Sequence, residues 1–324
     1  MTNAALDLLF DTHRNEFVQP NDLPLISGNQ WARVVAELAY QSMLMEIYHT
    51  PKPGLVDLVN NGAHSDMDVP LFEMSANSIQ PYLDSFVLAG FSHKNQPAHS
   101  LLSVLRPIGI DAEKAMFKAT SGVNTHKGMI FGIGLICGAI GWLVGKKLTI
   151  DALYISKVIK ECCQLLVVHE LKQRTHSTPQ SNGERLYQEY GLTGARGEAA
   201  SGYETVMRFS LPTFEAVTKD GYSNEEAFRQ TLLVTMAHNQ DSNIVNRAGL
   251  YGLYFVQNEA LKLLKKGGVT HFDIKKELSD LDQIFIQKHI SPGGSADLLA
   301  ITWLLAQINQ LNQHAIESNI FLNQ

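Results

Sequence analysis

GMIFGIGLICGAIGWLVG, residues 128–145, is a run of eighteen residues without a charge, six of them glycine. It is as long as the shortest bilayer span, so it reads either as a membrane helix or as the central helix of a globular core. Its shortness and isolation favour the core helix, because no second stretch of this kind occurs in the chain. Gly128 and Gly132, Gly134 and Gly138, and Gly141 and Gly145 repeat at four-residue spacing, which lets other helices approach the backbone closely. A buried helix with others packed around it is expected, and no membrane partner.

Outward from this stretch the periodicity is helical rather than alternating. WARVVAELAYQSMLMEIY (31–48) places apolar residues three and four apart, and the same pattern predicts helices over 153–171, 224–238, 248–264, 272–289 and 296–311. Ser223 with Glu226 three residues later is a capping box opening the 224–238 helix. No alternating strand pattern appears, and Asn61-Gly62 is flanked by polar residues rather than by strands. The fold class is therefore all-α: one multi-helix globular bundle over residues 1–324, with 1–28 as a peripheral N-terminal segment and 174–183 as a polar linker.

With 45% hydrophobic and 18% charged residues the chain can bury a large core. A formal charge of −6 with no basic block speaks against nucleic acid as a partner. Cys137, Cys162 and Cys163 are an odd number in apolar surroundings, which suits a reducing, cytoplasmic setting; the first residues carry no secretory signal pattern.

The chemistry is concentrated in five polar connections. In TPKPGLVDLVNNGAHSDMD (50–68), Pro51, Pro53 and Gly54 stop the preceding helix and fix a bent path that holds Lys52, Asp57 and His64 in defined directions. Asp66 and Asp68 precede VPLFEM, where Asp68 suits a helix cap and Pro70 a first turn. In SGVNTHKG (121–128), Asn124 or Thr125 can cap the glycine-rich helix, and His126 and Lys127 stand over its positive end, a place suited to phosphate. In ARGEAASGYETV, Arg196 offers a fork for phosphate and Glu198 a carboxylate that can orient it or act on a proton; a helical salt bridge is the plainer reading. In HNQDSNIVNR (238–247), Asp241 and Asn243 are hard oxygen ligands that suit Mg²⁺ shared with substrate phosphates, and Asp241 also suits a helix cap. In SPGGSAD (291–297), the bare amides of Gly293 and Gly294 beside Ser291 can approach an anion, and Asp297 lies in a first helical turn, placed for capping or metal binding. No zinc spacing, Walker A loop, nucleophile elbow or dinucleotide fingerprint is present.

Taken in order, TPKPGLVDLVNNGAHSDM, GVNTHKGMIFGIG, ARGEAASGY, DSNIVNRAG and SPGGSADLLA resemble the triphosphoribosyl-dephospho-CoA synthase family over most of the chain. The family's fourth motif reads Asp-Thr-Asn followed by Arg-Gly-Gly. Here it is Asp241-Ser242-Asn243 and Arg247-Ala248-Gly249, so a hydroxyl is kept but a methyl is added beside Arg247. The resemblance implies an all-α fold and a reaction in which a ribose hydroxyl of 3′-dephospho-CoA displaces adenine from ATP. The product is the prosthetic-group precursor for the acyl carrier subunit of citrate lyase or malonate decarboxylase, passed on by a carrier-protein transferase.

The implied roles follow from that chemistry. A base, Asp57 or Glu198, takes the hydroxyl proton, and His64 or Asp66 lies by the transferring sugar. Lys52, Lys127, Arg196 and Arg247 hold phosphates, with Asn124, His126, Ser291, Gly293 and Gly294 lining their site. Asp241, Asn243 and Asp297 hold Mg²⁺. Two competing readings are a metal-dependent nucleotide N-glycosidase or ADP-ribosyl hydrolase, with water as acceptor, and a non-catalytic helical protein that binds CoA-like nucleotides. A homodimer is compatible with the sequence.

Overall fold

The structure is a computed structural model that describes residues 28–174, 178–179 and 181–322, with side chains to 311. The expected N-terminal segment 1–28 falls, except for Gly28, outside the described residues, and the linker 174–183 falls partly outside them. Helices take up 77% of the described residues and no strand occurs among them, as the periodicity predicts.

α1 (Gly28–Tyr48), α2 (Val69–Ser92), α3 (Leu101–Ala119) and α4 (Lys127–Lys146) form the first half. α4 contains the glycine-rich stretch, and most of its length is buried within the bundle. α2 lies directly on it: a Cβ on Gly90 would overlap the Gly138 carbonyl, and one on Gly141 would overlap that of Val87. Backbone rather than side chain therefore forms this contact, which is what the four-residue glycine spacing permits. α2 starts where Asp68 accepts a hydrogen bond from the Leu71 amide at 2.9 Å, with Pro70 in the first turn.

The second half begins with α5 (Ala152–Cys163) and the short α6 (Leu166–Glu170). A single helix over 153–171 is thus corrected to two. A turn at Gln164 and Leu165 redirects the chain so that Glu170 meets Arg106 at 2.5 Å and Arg196 at 2.9 Å. α7 (Asn182–Tyr190) and α8 (Gly194–Ser201) follow, then a π-helical turn (Val206–Ser210) leading into α9 (Leu211–Lys219). α10 (Asn224–His238) opens on the expected capping box, with both reciprocal hydrogen bonds formed between Ser223 and Glu226.

α11 (Ser242–Lys265) starts six residues before the predicted 248 because Asp241 caps it there. Its first turns are separated from the rest by Gly249, whose φ of 67° favours glycine. α12 (Ile274–Gln287) and α13 (Gly293–Leu322) complete the bundle. One apolar cluster runs from Trp31 on α1 to Ile308 on α13, and the cysteines lie buried and free within it.

Candidate active site

α4, α8, α11 and α13 all begin at one cavity of about 400 Å³, with Gly128, Gly194, Ser242 and Gly293 in its wall. Four helix N-termini therefore direct partial positive charge toward a single space. The loop 50–68 closes another side through Lys52, Leu55, Val56, His64 and Met67. All five polar connections thus contribute to one site.

Asp241 joins two of those helix ends. Its Oδ1 accepts from the Asn243 amide at 3.0 Å and the Gly294 amide at 3.2 Å, and its Oδ2 from the Ser295 amide at 2.8 Å and hydroxyl at 3.0 Å. One carboxylate caps α11 and holds the start of α13, so the capping reading of Asp241 is correct and incomplete. Burial pushes its carboxyl above the usual range, against the pull of these donors.

Three further acids face the cavity. Glu46, on the buried side of α1, pairs with Lys52 Nζ at 2.6 Å, and the same ammonium donates to the Glu46 carbonyl. Asp297 lies against Gly128 at the start of α4, where burial and the charges of Glu46 and Asp241 push its carboxyl well above the usual range. Glu198 is raised by burial, although it accepts a 2.5 Å bond from the Thr205 hydroxyl. Among the described residues no three acidic, histidine or cysteine side chains converge into a metal cage. Glu46, Asp241 and Asp297 share one cavity with Lys52 as the buried counter-charge. With Glu46 taken up by Lys52, the hard oxygens of Asp241, Asn243 and Asp297 in this wall are of the kind that suits Mg²⁺ keeping phosphate and water ligands, rather than a metal bound by protein alone.

Two histidines line the site uncharged. His64 Nε2 meets Ser291 Oγ at 2.8 Å, tying the first loop to the start of α13, and burial followed by the Arg247 charge lowers its pKa to about 4. His126 is fully enclosed, and burial with the Lys52 charge lowers it to about 3. Asn124 Oδ1 accepts from the Lys127 amide at 3.3 Å, whereas Thr125 turns away to bond Ser75.

Of the residues singled out in the sequence, Lys52, His64, Asn124, His126, Lys127, Glu198, Asp241, Asn243, Arg247, Ser291, Gly293, Gly294 and Asp297 line the cavity. Asp57, Asp66 and Arg196 do not. Asp57 is buried inside its own loop, accepting from the amides of Lys52, Val59 and Asn60 at 2.8–3.1 Å, so it shapes the loop instead of reaching a substrate. Asp66 is an exposed carboxylate 3.9 Å from His64. Arg196 forms the expected salt bridge, with Glu170 as partner in place of a neighbour on its own helix.

Like Lys52, the other two cations in the wall are already engaged. Lys127 pairs with Glu113 at 3.0 Å, and Arg247 donates to the carbonyls of Ala63 and, at 3.2 Å, His289, holding the first loop in place.

Sequence reasoning missed Glu46, Ser75 and Tyr203. Glu46 left a trace, an acid in the apolar stripe MLMEIY. Tyr203 left none, although its buried hydroxyl has no partner among the described residues, the residue lines the cavity, and its φ of 60° is unusual for a residue with a side chain.

The family model described as ATP:dephospho-CoA triphosphoribosyl transferase matches residues 32–316. A protein of Photobacterium profundum named probable 2-(5''-triphosphoribosyl)-3'-dephosphocoenzyme-A synthase is 53% identical over 96% of this chain and 99% of its own length. A Vibrio cholerae protein of the same name is 54% identical over 95% and 97%. A Pectobacterium atrosepticum protein, named 2-(5''-triphosphoribosyl)-3'-dephosphocoenzyme-A synthase, is 48% identical over 82% and 85%. No solved structure matches the chain. With its five polar segments gathered at one cavity and the family model spanning nearly its whole length, the chain belongs to the ATP:dephospho-CoA triphosphoribosyl transferase family.

Proposed function

We propose that this protein transfers the 5-triphosphoribosyl group of ATP to a ribose hydroxyl of 3′-dephospho-CoA and releases adenine. The bond from the anomeric carbon to the adenine nitrogen breaks, the hydroxyl oxygen takes its place, and the hydroxyl proton leaves with adenine or through a base. The observation that carries this reading is the meeting of four helix N-termini with buried acids in one cavity. The helix ends suit a triphosphate, and the acids suit the positive charge that develops on the sugar.

Glu198 serves as the base for the attacking hydroxyl, since burial makes it a stronger proton acceptor than an exposed glutamate. His64, held to Ser291, lies near the transferring sugar. Arg247, Lys127, Asn124 and the amide of Gly293 receive phosphates, with Gly294 tied to Asp241 beside them and Lys52 balanced by Glu46 behind them. Asp241, Asn243 and Asp297 would hold Mg²⁺, which neutralises triphosphate charge when bound. The product would serve the acyl carrier subunit of citrate lyase or malonate decarboxylase in the cytoplasm, after attachment by a separate transferase.

The test is incubation of the protein with ATP, Mg²⁺ and dephospho-CoA, following adenine and the triphosphoribosylated product by mass spectrometry. Equal amounts of both are expected, and Glu198→Gln should lower kcat about 10²-fold or more with little change in the KM for ATP. Adenine release that does not depend on dephospho-CoA would assign water as the acceptor and overturn the proposal.

A further inference from the structure

His126 stands in the cavity wall with an uncommon set of partners. The Thr125 hydroxyl donates to Ser75 Oγ at 2.6 Å, and Ser75 Oγ lies 2.6 Å from His126 Nδ1. Because Ser75 accepts from Thr125, its own proton is free to point at Nδ1, which makes Nδ1 the acceptor and leaves the ring proton on Nε2. Nε2 is buried and has no partner among the described residues. Ser75 is itself fully buried on α2, as is His126.

The surroundings indicate what such a donor would meet. Phe72 packs edge-on against the imidazole with ring centroids 4.9 Å apart, and Phe72, Met67, Leu55 and Val56 form an apolar part of the same cavity. Of the donors proposed for phosphate, Arg247 and the Gly293 amide lie on α11 and α13, while Asn124 and Lys127 flank His126 at the start of α4. A buried ring N–H without a partner, beside an apolar stretch of the wall, suits an aromatic base that offers ring nitrogens. Burial and the nearby Lys52 keep the imidazole uncharged, so it donates a hydrogen bond without carrying a positive charge into the site.

We propose that the Nε2–H of His126 donates a hydrogen bond to a ring nitrogen of the adenine of ATP, and that Ser75 is the positioning residue that fixes this tautomer. The inference rests on the transferase reading and deepens it. As the glycosidic bond breaks, the electron pair moves onto adenine, and a donor at a ring nitrogen stabilises the charge that collects there.

Two measurements test it. Nitrogen-15 NMR of the free protein at neutral pH should show His126 with the proton on Nε2, and Ser75→Ala should shift the ring toward a mixture of tautomers. A proton on Nδ1 in the unaltered protein would overturn the proposal, and this readout needs no active enzyme. In the second, adenine-base release is followed with ATP, 7-deaza-ATP and 3-deaza-ATP. One deaza analogue should react about 10²-fold more slowly than ATP in the unaltered protein, and His126→Phe should treat that analogue and ATP alike. Equal discrimination in both proteins, or none in the unaltered protein, would overturn the proposal. Failure of ATP itself to yield adenine would instead count against the transferase reading, with the tautomer still decided by NMR.

Discussion

The α2–α4 contact and the α11–α13 junction both bring two stretches of backbone close together, and they do so by opposite means. Where α2 crosses α4, side chains are removed: Gly90, Gly138 and Gly141 leave carbonyls and glycine backbones facing each other, with no polar group to satisfy beyond the helices' own hydrogen bonds. Where α11 meets α13, a side chain is added: the Asp241 carboxylate fills the gap between two helix ends and accepts from both. The first solution tolerates no added volume; the second tolerates no lost acceptor. A close-packed apolar contact gives a rigid platform, whereas a junction of helix N-termini leaves amides and dipoles that can act on a ligand. The division of labour between scaffold and site follows from that difference.

The strongest way to break the comparison is to add one methyl group to the scaffold. Gly141→Ala places a Cβ against the Val87 carbonyl, which is backbone and cannot rotate aside, so unfolding in urea should show a loss of about 3 kcal/mol. An unaltered midpoint would mean that the helices are not in this contact.

The junction should respond somewhat less in stability and more in activity. Asp241→Ala leaves the Asn243 and Gly294 amides without their acceptor, while the Ser295 amide keeps the Pro292 carbonyl, and should cost about 2 kcal/mol in the same measurement. It should also abolish product formation in the folded fraction, because the start of α13 loses its position. Asp241→Asn keeps one acceptor oxygen and should fall between. A stable, fully active alanine variant would show that the junction is held by something else.

A smaller, graded effect comes from the histidines between the two regions. His64 at about 4 and His126 at about 3 lie below the ordinary value of about 6.5, so between those limits the unfolded chain binds more protons than the folded one. Stability therefore falls as pH drops below about 6.5 and continues to fall toward the folded values. The slope approaches about 1.4 kcal/mol per pH unit for each residue. Unfolding curves at pH 7.5, 6 and 5 should show this decline, and His126→Phe should have a shallower one. A His126→Phe variant whose stability depends on pH as steeply as that of the unaltered protein would contradict the burial of that ring.

Most of the fold could be read from the chain because helices announce themselves locally. The apolar spacing in 31–48, the Ser223 capping box and the glycine spacing in 128–145 each act within a few residues, and each predicted what the structure contains. The failure at 153–171 has a tertiary reason: apolar periodicity continues through Cys163, but the chain turns there to bring Glu170 to two arginines distant in sequence.

The site was legible as a set of polar segments and less so residue by residue. Asp57 and Asp241 look alike in sequence, each an acid in a polar turn after a helix. Asp57 is consumed by amides of its own loop, and Asp241 by amides 53 and 54 residues away. Nothing local distinguishes them.

What the sequence determined by itself was the all-α class, the central glycine-rich helix and the identity of the five segments that gather at the cavity, because helix periodicity, capping and backbone clearance are short-range properties. Only the tertiary structure decided which side chains face a ligand. It turned Asp57 and Arg196 to structural work, brought Glu46 and Tyr203 into the wall, and set Ser75 against His126 across fifty-one positions of chain. The physical reason is that a hydrogen bond or a buried charge depends on distances in space, which packing fixes and sequence separation does not.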